Sequence, residues 1–149
     1  MQRSTKQKNS GFTLIELIVV ITIIGILAAV AIPRLSNLER EARIASVQGL
    51  LGAVKSAAML AHATSLVQGA PATISMEAQV VNMLNEYPTA AANGIARAIA
   101  FDAIDYTFSA GTPSTFTLSG YSGSNCEVRY SAADGSGAPP AIVAVTSGC

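Results

Sequence analysis

The chain has 149 residues and a mass of 15.2 kDa, which is enough for one domain of ordinary size. Half of its residues are hydrophobic and only 12% are charged, about half the usual share. Residues 1–11 carry three basic side chains and no acid, so the remainder has six basic and nine acidic residues. This mildly acidic remainder argues against nucleic acid as the main ligand.

The first eleven residues are polar and basic, with Arg3, Lys6 and Lys8 as their cations. The positive-inside rule places such a segment in the cytoplasm and directs the rest of the chain outward. A secretory signal has its apolar core before the cleavage site, whereas here the small residue Gly11 precedes the apolar run. Cleavage after Gly11 would leave that run in the mature protein. Charge and hydropathy alone are equally compatible with an uncleaved signal anchor.

The run from Phe12 to Ile32 is almost wholly apolar. About 20 helical residues cross the hydrocarbon core of a bilayer, and helix is favoured in lipid because it satisfies the backbone internally. The spacing of Gly25 and Ala29 permits close approach of a second helix. Pro33 lacks an N–H, so it predicts a disturbance of the helix at about residues 29–33.

Glu16 is the one acid within this run. An ionised side chain in a membrane segment is costly, less so near its end. Glu16 therefore either stays hydrated at the interface or pairs with a cation. The nearest candidate cation is the α-ammonium that cleavage after Gly11 would create on Phe12, in the same chain or in a neighbouring subunit.

The sequence from Gly11 to Glu16 (GFTLIE), with the basic leader and the apolar run, resembles the type IV prepilin signature. The resemblance implies cleavage after Gly11 by a prepilin peptidase, N-methylation of Phe12, and polymerisation of the subunits through their N-terminal helices. Glu16 would neutralise the amine of an adjacent subunit. The stretch between Gly25 and Pro33 would partly unwind in the fibre.

From residue 34 the pattern becomes amphipathic, which predicts one helix from about Thr13 to about Leu66 whose second half packs on a globular head. A short coiled coil is the alternative for this half. His62 fits a partly exposed helix residue better than a ligand. The predicted apolar stripe consists of Ile44, Val47, Leu51, Val54, Ala58 and Ala61.

The stretch after the helix has two different patterns. Helical spacing predicts a helix over Met76–Glu86, and residues 90–100 fit a short helix or a loop. From Phe101 the period becomes two, which predicts a four-stranded antiparallel sheet and an α+β fold, as the pilin resemblance also implies. The predicted strands are Ile104–Ser109, Thr115–Ser119, Cys126–Ala132 and Ala141–Thr146.

Cys126 and Cys149 are the two cysteines of the chain. Outside the cytoplasm a disulfide between them is favoured over free thiols, and a metal pair is disfavoured because zinc sites use about four ligands. Pilins carry such a C-terminal disulfide loop. The sequence around the two cysteines is most similar to the type IVa class, with the mannose-sensitive haemagglutinin kind as one candidate subgroup.

These observations predict a removed leader (1–11), a transmembrane and fibre-core helix (12–33) and a globular head (34–149). The expected function is that of a structural pilus subunit, in the bacterial inner membrane before assembly and at the cell surface afterwards. Its expected partners are other copies of the chain, prepilin peptidase, and the pilus assembly platform and ATPase. No motif for catalysis, a cofactor or a metal site is evident.

Two other functions are considered. One is a pseudopilin of a type II secretion system. Major pseudopilins, by resemblance, tend to lack the C-terminal disulfide and to bind calcium through an acidic loop, whereas residues 131–140 contain only one acid, Asp134. The other is a membrane-anchored binding domain that never assembles, and the placement of Glu16 counts against it.

Overall fold

The structure is a computed structural model that describes residues 12–99 and 101–149. A long helix, α1 (Leu14–Val67), precedes two antiparallel sheets and a short helix, α2 (Ile95–Ala98). The first sheet has the strand order β1-β2-β3 and the second has the order β4-β5-β6-β7. The strands are β1 (Thr73–Met76), β2 (Gln79–Leu84), β3 (Tyr87–Pro88), β4 (Tyr106–Ser109), β5 (Ser114–Leu118), β6 (Glu127–Ser131) and β7 (Ala141–Val145).

Two compact units divide the chain between Glu39 and Arg40. In the described part of the first unit, residues 14–39 belong to α1, and almost all of their side chains are exposed. The second unit contains the remainder of α1, α2 and both sheets.

The main core lies between α1 and the four-stranded sheet. Burial alternates along β5 and β6, so every second side chain faces the helix. The predicted α+β fold, with a long N-terminal helix and a four-stranded antiparallel sheet, is confirmed. Leu50 is buried in the core, whereas Leu51, which belongs to the predicted apolar stripe, is only half-buried. The buried residues of this core are Val47, Leu50, Val54, Ala58, Ile95, Ile99, Phe116, Cys126, Val128, Tyr130 and Cys149.

The helix predicted over Met76–Glu86 is wrong, because this stretch folds into the small three-stranded sheet. Ile74 pairs with Val81 across β1 and β2, and both are buried against Ala61 of α1 together with Met83. Val81 and Met83 are two positions apart, so burial follows the period of a strand. The apolar residues of the stretch satisfy helical spacing as well, and contact with α1 selects the sheet.

Tyr130 ties the two sheets together. Its hydroxyl donates a hydrogen bond to the carbonyl oxygen of Pro88 at 2.6 Å, and its own carbonyl accepts one from Oγ of Ser114 at 3.3 Å. The side chain is fully buried. Burial, and secondarily the nearby phenol of Tyr87, raises the pKa of Tyr130 above its usual range.

Candidate functional site

The start of α1 is organised by a reciprocal contact between Thr13 and Glu16. Oε2 of Glu16 accepts hydrogen bonds from the Thr13 backbone N–H at 2.9 Å and from the Thr13 hydroxyl at 2.8 Å. The Glu16 N–H in turn donates to Oγ1 of Thr13 at 3.3 Å. This is a capping box, in which a threonine and a glutamate three residues later satisfy backbone donors at the helix start. It holds the Glu16 carboxylate against the first turn of α1.

The sequence contains the signal for this contact, a Thr-x-x-Glu spacing just before an apolar run. The sequence interpretation of Glu16 considered only its charge and missed the cap. The contact uses one carboxylate oxygen twice. Within the described residues, Oε1 of Glu16 has no hydrogen bond, and the carboxylate has no ion pair. One oxygen therefore stays available to a partner from outside the described chain.

The helix around Glu16 presents apolar side chains to its surroundings. Phe12 is 93% exposed, and the large apolar residues from Leu14 to Leu38 are 48–75% exposed. By length and composition α1 is able to cross a membrane: it contains an 18-residue window with a mean hydropathy of 2.9, none of which is buried. A signal sequence near an N-terminus meets the same criterion. This surface needs a covering of lipid or protein.

The structure gives different information on the other predicted positions of this segment. Gly11, the predicted cleavage position, lies outside the described residues. α1 is continuous through both Gly25 and Pro33. A Cβ added at Gly25 would meet no atom within 4 Å, so packing within the chain does not require a glycine there. The roles of Gly25 and Pro33 in perturbing the helix remain predictions.

The predicted disulfide joins Cys126 and Cys149, 23 residues apart in sequence. Both cysteines are buried. Arg43 of α1 donates from Nε to the main-chain oxygen of Cys149 at 3.0 Å, and its guanidinium lies 4.8 Å from the centre of the Tyr121 ring. The Tyr121 hydroxyl donates to the carbonyl oxygen of Gly148. A cation–π contact and two hydrogen bonds therefore hold the end of the chain against α1.

Asp134 precedes β7 in a turn of its own. Its Oδ1 accepts hydrogen bonds from the Ser136 hydroxyl at 2.6 Å and the Ser136 N–H at 2.9 Å. These bonds favour the ionised form and lower the pKa of Asp134. Within residues 12–99 and 101–149, no group of three His, Cys, Asp or Glu side chains is placed to hold a metal ion.

A family model described as the prokaryotic N-terminal methylation motif matches residues 6–32. Comparison with curated proteins and with solved structures found no match. The matched segment includes the Thr13–Glu16 cap and the exposed apolar start of α1. The rest of the chain supplies the remainder of a long N-terminal helix, a four-stranded antiparallel sheet and a C-terminal disulfide. The motif and this fold together support a type IV pilin-like protein with a prepilin-type N-terminus.

Proposed function

We propose that this chain is a structural subunit of a type IV pilus, which polymerises through residues 12–33 into an extracellular filament for adhesion or motility. The observation that carries the proposal is the exposed apolar start of α1 with one carboxylate near its N-terminal end. An apolar surface of this length is stable only when it is covered. Lipid of the inner membrane covers it before assembly, and the helices of other subunits cover it afterwards.

Glu16 makes the contact between the helices of neighbouring subunits specific. Cleavage after Gly11 creates an α-ammonium on Phe12, and Oε1 of Glu16 has no hydrogen bond within the described residues. In apolar surroundings an ion pair is stronger than in water, and a lone carboxylate is costly. A subunit that brings its ammonium to this oxygen therefore lowers the free energy of burying the carboxylate, which favours the axial offset between neighbouring helices that brings the two groups together.

The alternative is a pseudopilin of a type II secretion system. Two observations favour the pilus subunit. The C-terminal disulfide is present, and Asp134, the one acid in residues 131–140, already accepts two hydrogen bonds from Ser136. A calcium ion takes six to eight oxygen ligands. This segment therefore lacks the carboxylates of the calcium-binding loop expected of a major pseudopilin.

The proposed partners of the chain act first at the inner membrane and then during assembly of the filament. Prepilin peptidase would cut after Gly11 and methylate Phe12 at the inner membrane. The assembly platform and its ATPase would then move the subunit into a filament at the cell surface, where the disulfide-closed end belongs to the head. A type IVa subunit is the proposed subclass. The chain has no proposed catalytic role.

Mass spectrometry of the mature subunit tests the processing step. The N-terminal peptide is expected to begin at Phe12 and to carry a methylated amine. A Gly11→Val variant is the control, since a branched side chain at the cleavage position is expected to block processing and leave residues 1–11 attached. A wild-type subunit that still begins at Met1 would exclude the proposal.

Substitution of Glu16 tests assembly and separates its two contacts. Glu16→Gln keeps an oxygen that can accept the Thr13 hydrogen bonds, because glutamine also serves in a capping box, but it removes the charge. Filament yield is expected to fall at least about tenfold while membrane insertion is retained. Thr13→Val keeps the charge and removes the capping hydroxyl, so its yield should fall less. Glu41→Gln, at an exposed acid of α1 beyond the apolar segment, is the matched control. Normal yield from Glu16→Gln would exclude ion pairing as the basis of assembly.

A further inference from the structure

A half-open cavity of about 370 Å³ lies in the second unit, between the end of α1, the β2–β3 turn and the segment before β7. Its volume is within the range of small-molecule sites, about 300–1,000 Å³. None of the roles described above uses it. The cavity is lined by His62, Asn85, Glu86, Tyr87, Gly135, Gly137 and Ala138.

One wall is a fixed pair of rings. The His62 imidazole stacks on the Tyr87 ring with the centroids 4.1 Å apart and the planes 2° from parallel. Nδ1 of His62 lies 3.0 Å from the carbonyl oxygen of Glu86. A carbonyl only accepts, so Nδ1 carries the hydrogen of this bond, and Nε2 of the neutral ring is then an acceptor.

A second part of the lining is held by Asn85. Its Nδ2 donates to the carbonyl oxygen of Ala133 at 2.9 Å, which leaves Oδ1 as an acceptor. The segment before β7 passes close to Asn85. A Cβ on Gly135 would lie 3.2 Å from Nδ2 of Asn85, and Gly135 has a φ of +87°. Glycine is therefore required there. The hydrogen bond to Ala133 joins the β2–β3 turn to the segment before β7.

Glu86 supplies the charge. Within the described residues its carboxylate has no hydrogen bond and no ion pair, and no lysine or arginine lines the cavity. The polar side-chain atoms that remain available are the Glu86 carboxylate, Oδ1 of Asn85 and Nε2 of His62, all of them acceptors, with the Tyr87 hydroxyl as the one other group. Such a cavity is complementary to a cation that carries several hydrogen-bond donors.

We propose that this cavity binds an amino sugar, a small molecule that combines a protonated amine with several hydroxyl groups. The ammonium pairs with the Glu86 carboxylate, and the hydroxyls donate to Oδ1 of Asn85 and Nε2 of His62. A bare alkylammonium would pair with the exposed Glu86 carboxylate and make no hydrogen bond to the other acceptors. A neutral sugar would make those hydrogen bonds and no ion pair.

The test uses the full chain in detergent micelles at pH 7, titrated with glucosamine by isothermal calorimetry and by saturation-transfer NMR. Glucosamine is expected to bind at least about tenfold more tightly than N-acetylglucosamine, which has the same ring and no charge. It is also expected to bind at least about tenfold more tightly than n-butylammonium, which has the charge and no hydroxyls. Glu86→Gln is expected to lower the glucosamine affinity by a similar factor.

Glu77→Gln is the matched control, because Glu77 lies in the other two-residue turn of the same sheet, between β1 and β2, also at positive φ, and does not line the cavity. Its affinity should equal that of the wild type, and near-ultraviolet circular dichroism should show that both variants keep the fold. Equal affinity for glucosamine and N-acetylglucosamine, or an unchanged affinity in Glu86→Gln, would overturn the proposal. Equal binding of n-butylammonium would overturn the assignment to an amino sugar. Absence of glucosamine binding at millimolar concentration would exclude the site.

Discussion

Removing the disulfide is expected to destabilise the second unit through its unfolded state. Replacing Cys126 and Cys149 together by serine opens a loop whose ends are 23 residues apart. Loop-closure entropy for this length gives a loss of about 3.4 kcal/mol in the free energy of unfolding. For a domain of this size the corresponding fall in the melting temperature is about 10–15 °C.

Other contacts at the end of the chain should survive in the native state of this variant. Arg43 can still donate to the main-chain oxygen of residue 149, and Gly148 still donates from its N–H to the carbonyl of Asn125 at 3.0 Å. These contacts preserve the native position of the segment, so the loss arises mainly from the greater freedom of the unfolded chain. A folded variant with a lower melting temperature is therefore expected, with no loss of the sheet.

Near-ultraviolet circular dichroism of the full chain in detergent is the assay for this prediction. The chain has no tryptophan, so its four tyrosines report on the second unit, in which all of them lie. Far-ultraviolet signals are less selective, because the exposed start of α1 contributes helix without contributing to the core. Ser147→Ala, a change at an exposed position two residues before Cys149, is the control. A melting temperature within about 2 °C of the wild type would refute the entropic reasoning.

Three further changes test the packing of the second unit. Ser65→Ala should raise the free energy of unfolding by about 1 kcal/mol in denaturant titrations, because the buried Ser65 hydroxyl has no hydrogen-bond partner among the residues that the structure describes. A loss of stability would show that the hydroxyl is satisfied. Ala78→Gly should stabilise by about 0.5–1 kcal/mol, because Ala78 has a φ of +63° in a two-residue hairpin turn; the same measurement in Ala53→Gly, at an exposed helical position, should show a loss. Stability should also fall as the pH rises above about 10, where the phenol of an unfolded chain ionises. Burial raises the pKa of Tyr130 in the folded state. The unfolded state therefore binds fewer protons than the folded state in this pH range, and the free energy of unfolding decreases. Tyr130→Phe should flatten this alkaline dependence, and an equally steep fall in that variant would assign the effect to another group.

The four-stranded sheet was predictable from sequence because its strands alternate and its turns contain recognisable residues. Pro113 precedes β5, and glycines lie between the later strands. The three-stranded sheet was not predictable in this way. Its two hairpin turns contain Glu77–Ala78 and Asn85–Glu86, all at positive φ, and only asparagine among these residue types is common in such turns. Without a turn signal, helical spacing was the stronger pattern.

Contacts between distant parts of the chain were beyond sequence reasoning for a different reason. The hydrogen bond from Arg43 to the main-chain oxygen of Cys149 joins residues 106 positions apart, and the stack of His62 on Tyr87 depends on where β3 meets α1. Neither contact is between residues whose spacing in the sequence would predict it. His62 was interpreted correctly as a partly exposed helix residue, but its contact with the β2–β3 turn follows from the hairpin that the prediction missed.

The capping box changes how the acid in the apolar segment is understood. Interpreted through charge alone, Glu16 has no partner until a neighbouring subunit arrives. In the structure its carboxylate already accepts two hydrogen bonds from Thr13 at the start of α1, where the helix dipole also favours a negative charge. Both contacts are made within the chain, so they lower the cost of keeping the acid in an apolar segment. They use one oxygen, and the other has no hydrogen bond within the described residues. The cap and the proposed ion pair are therefore compatible and use different atoms, which is why Glu16→Gln and Thr13→Val should have different effects on the filament.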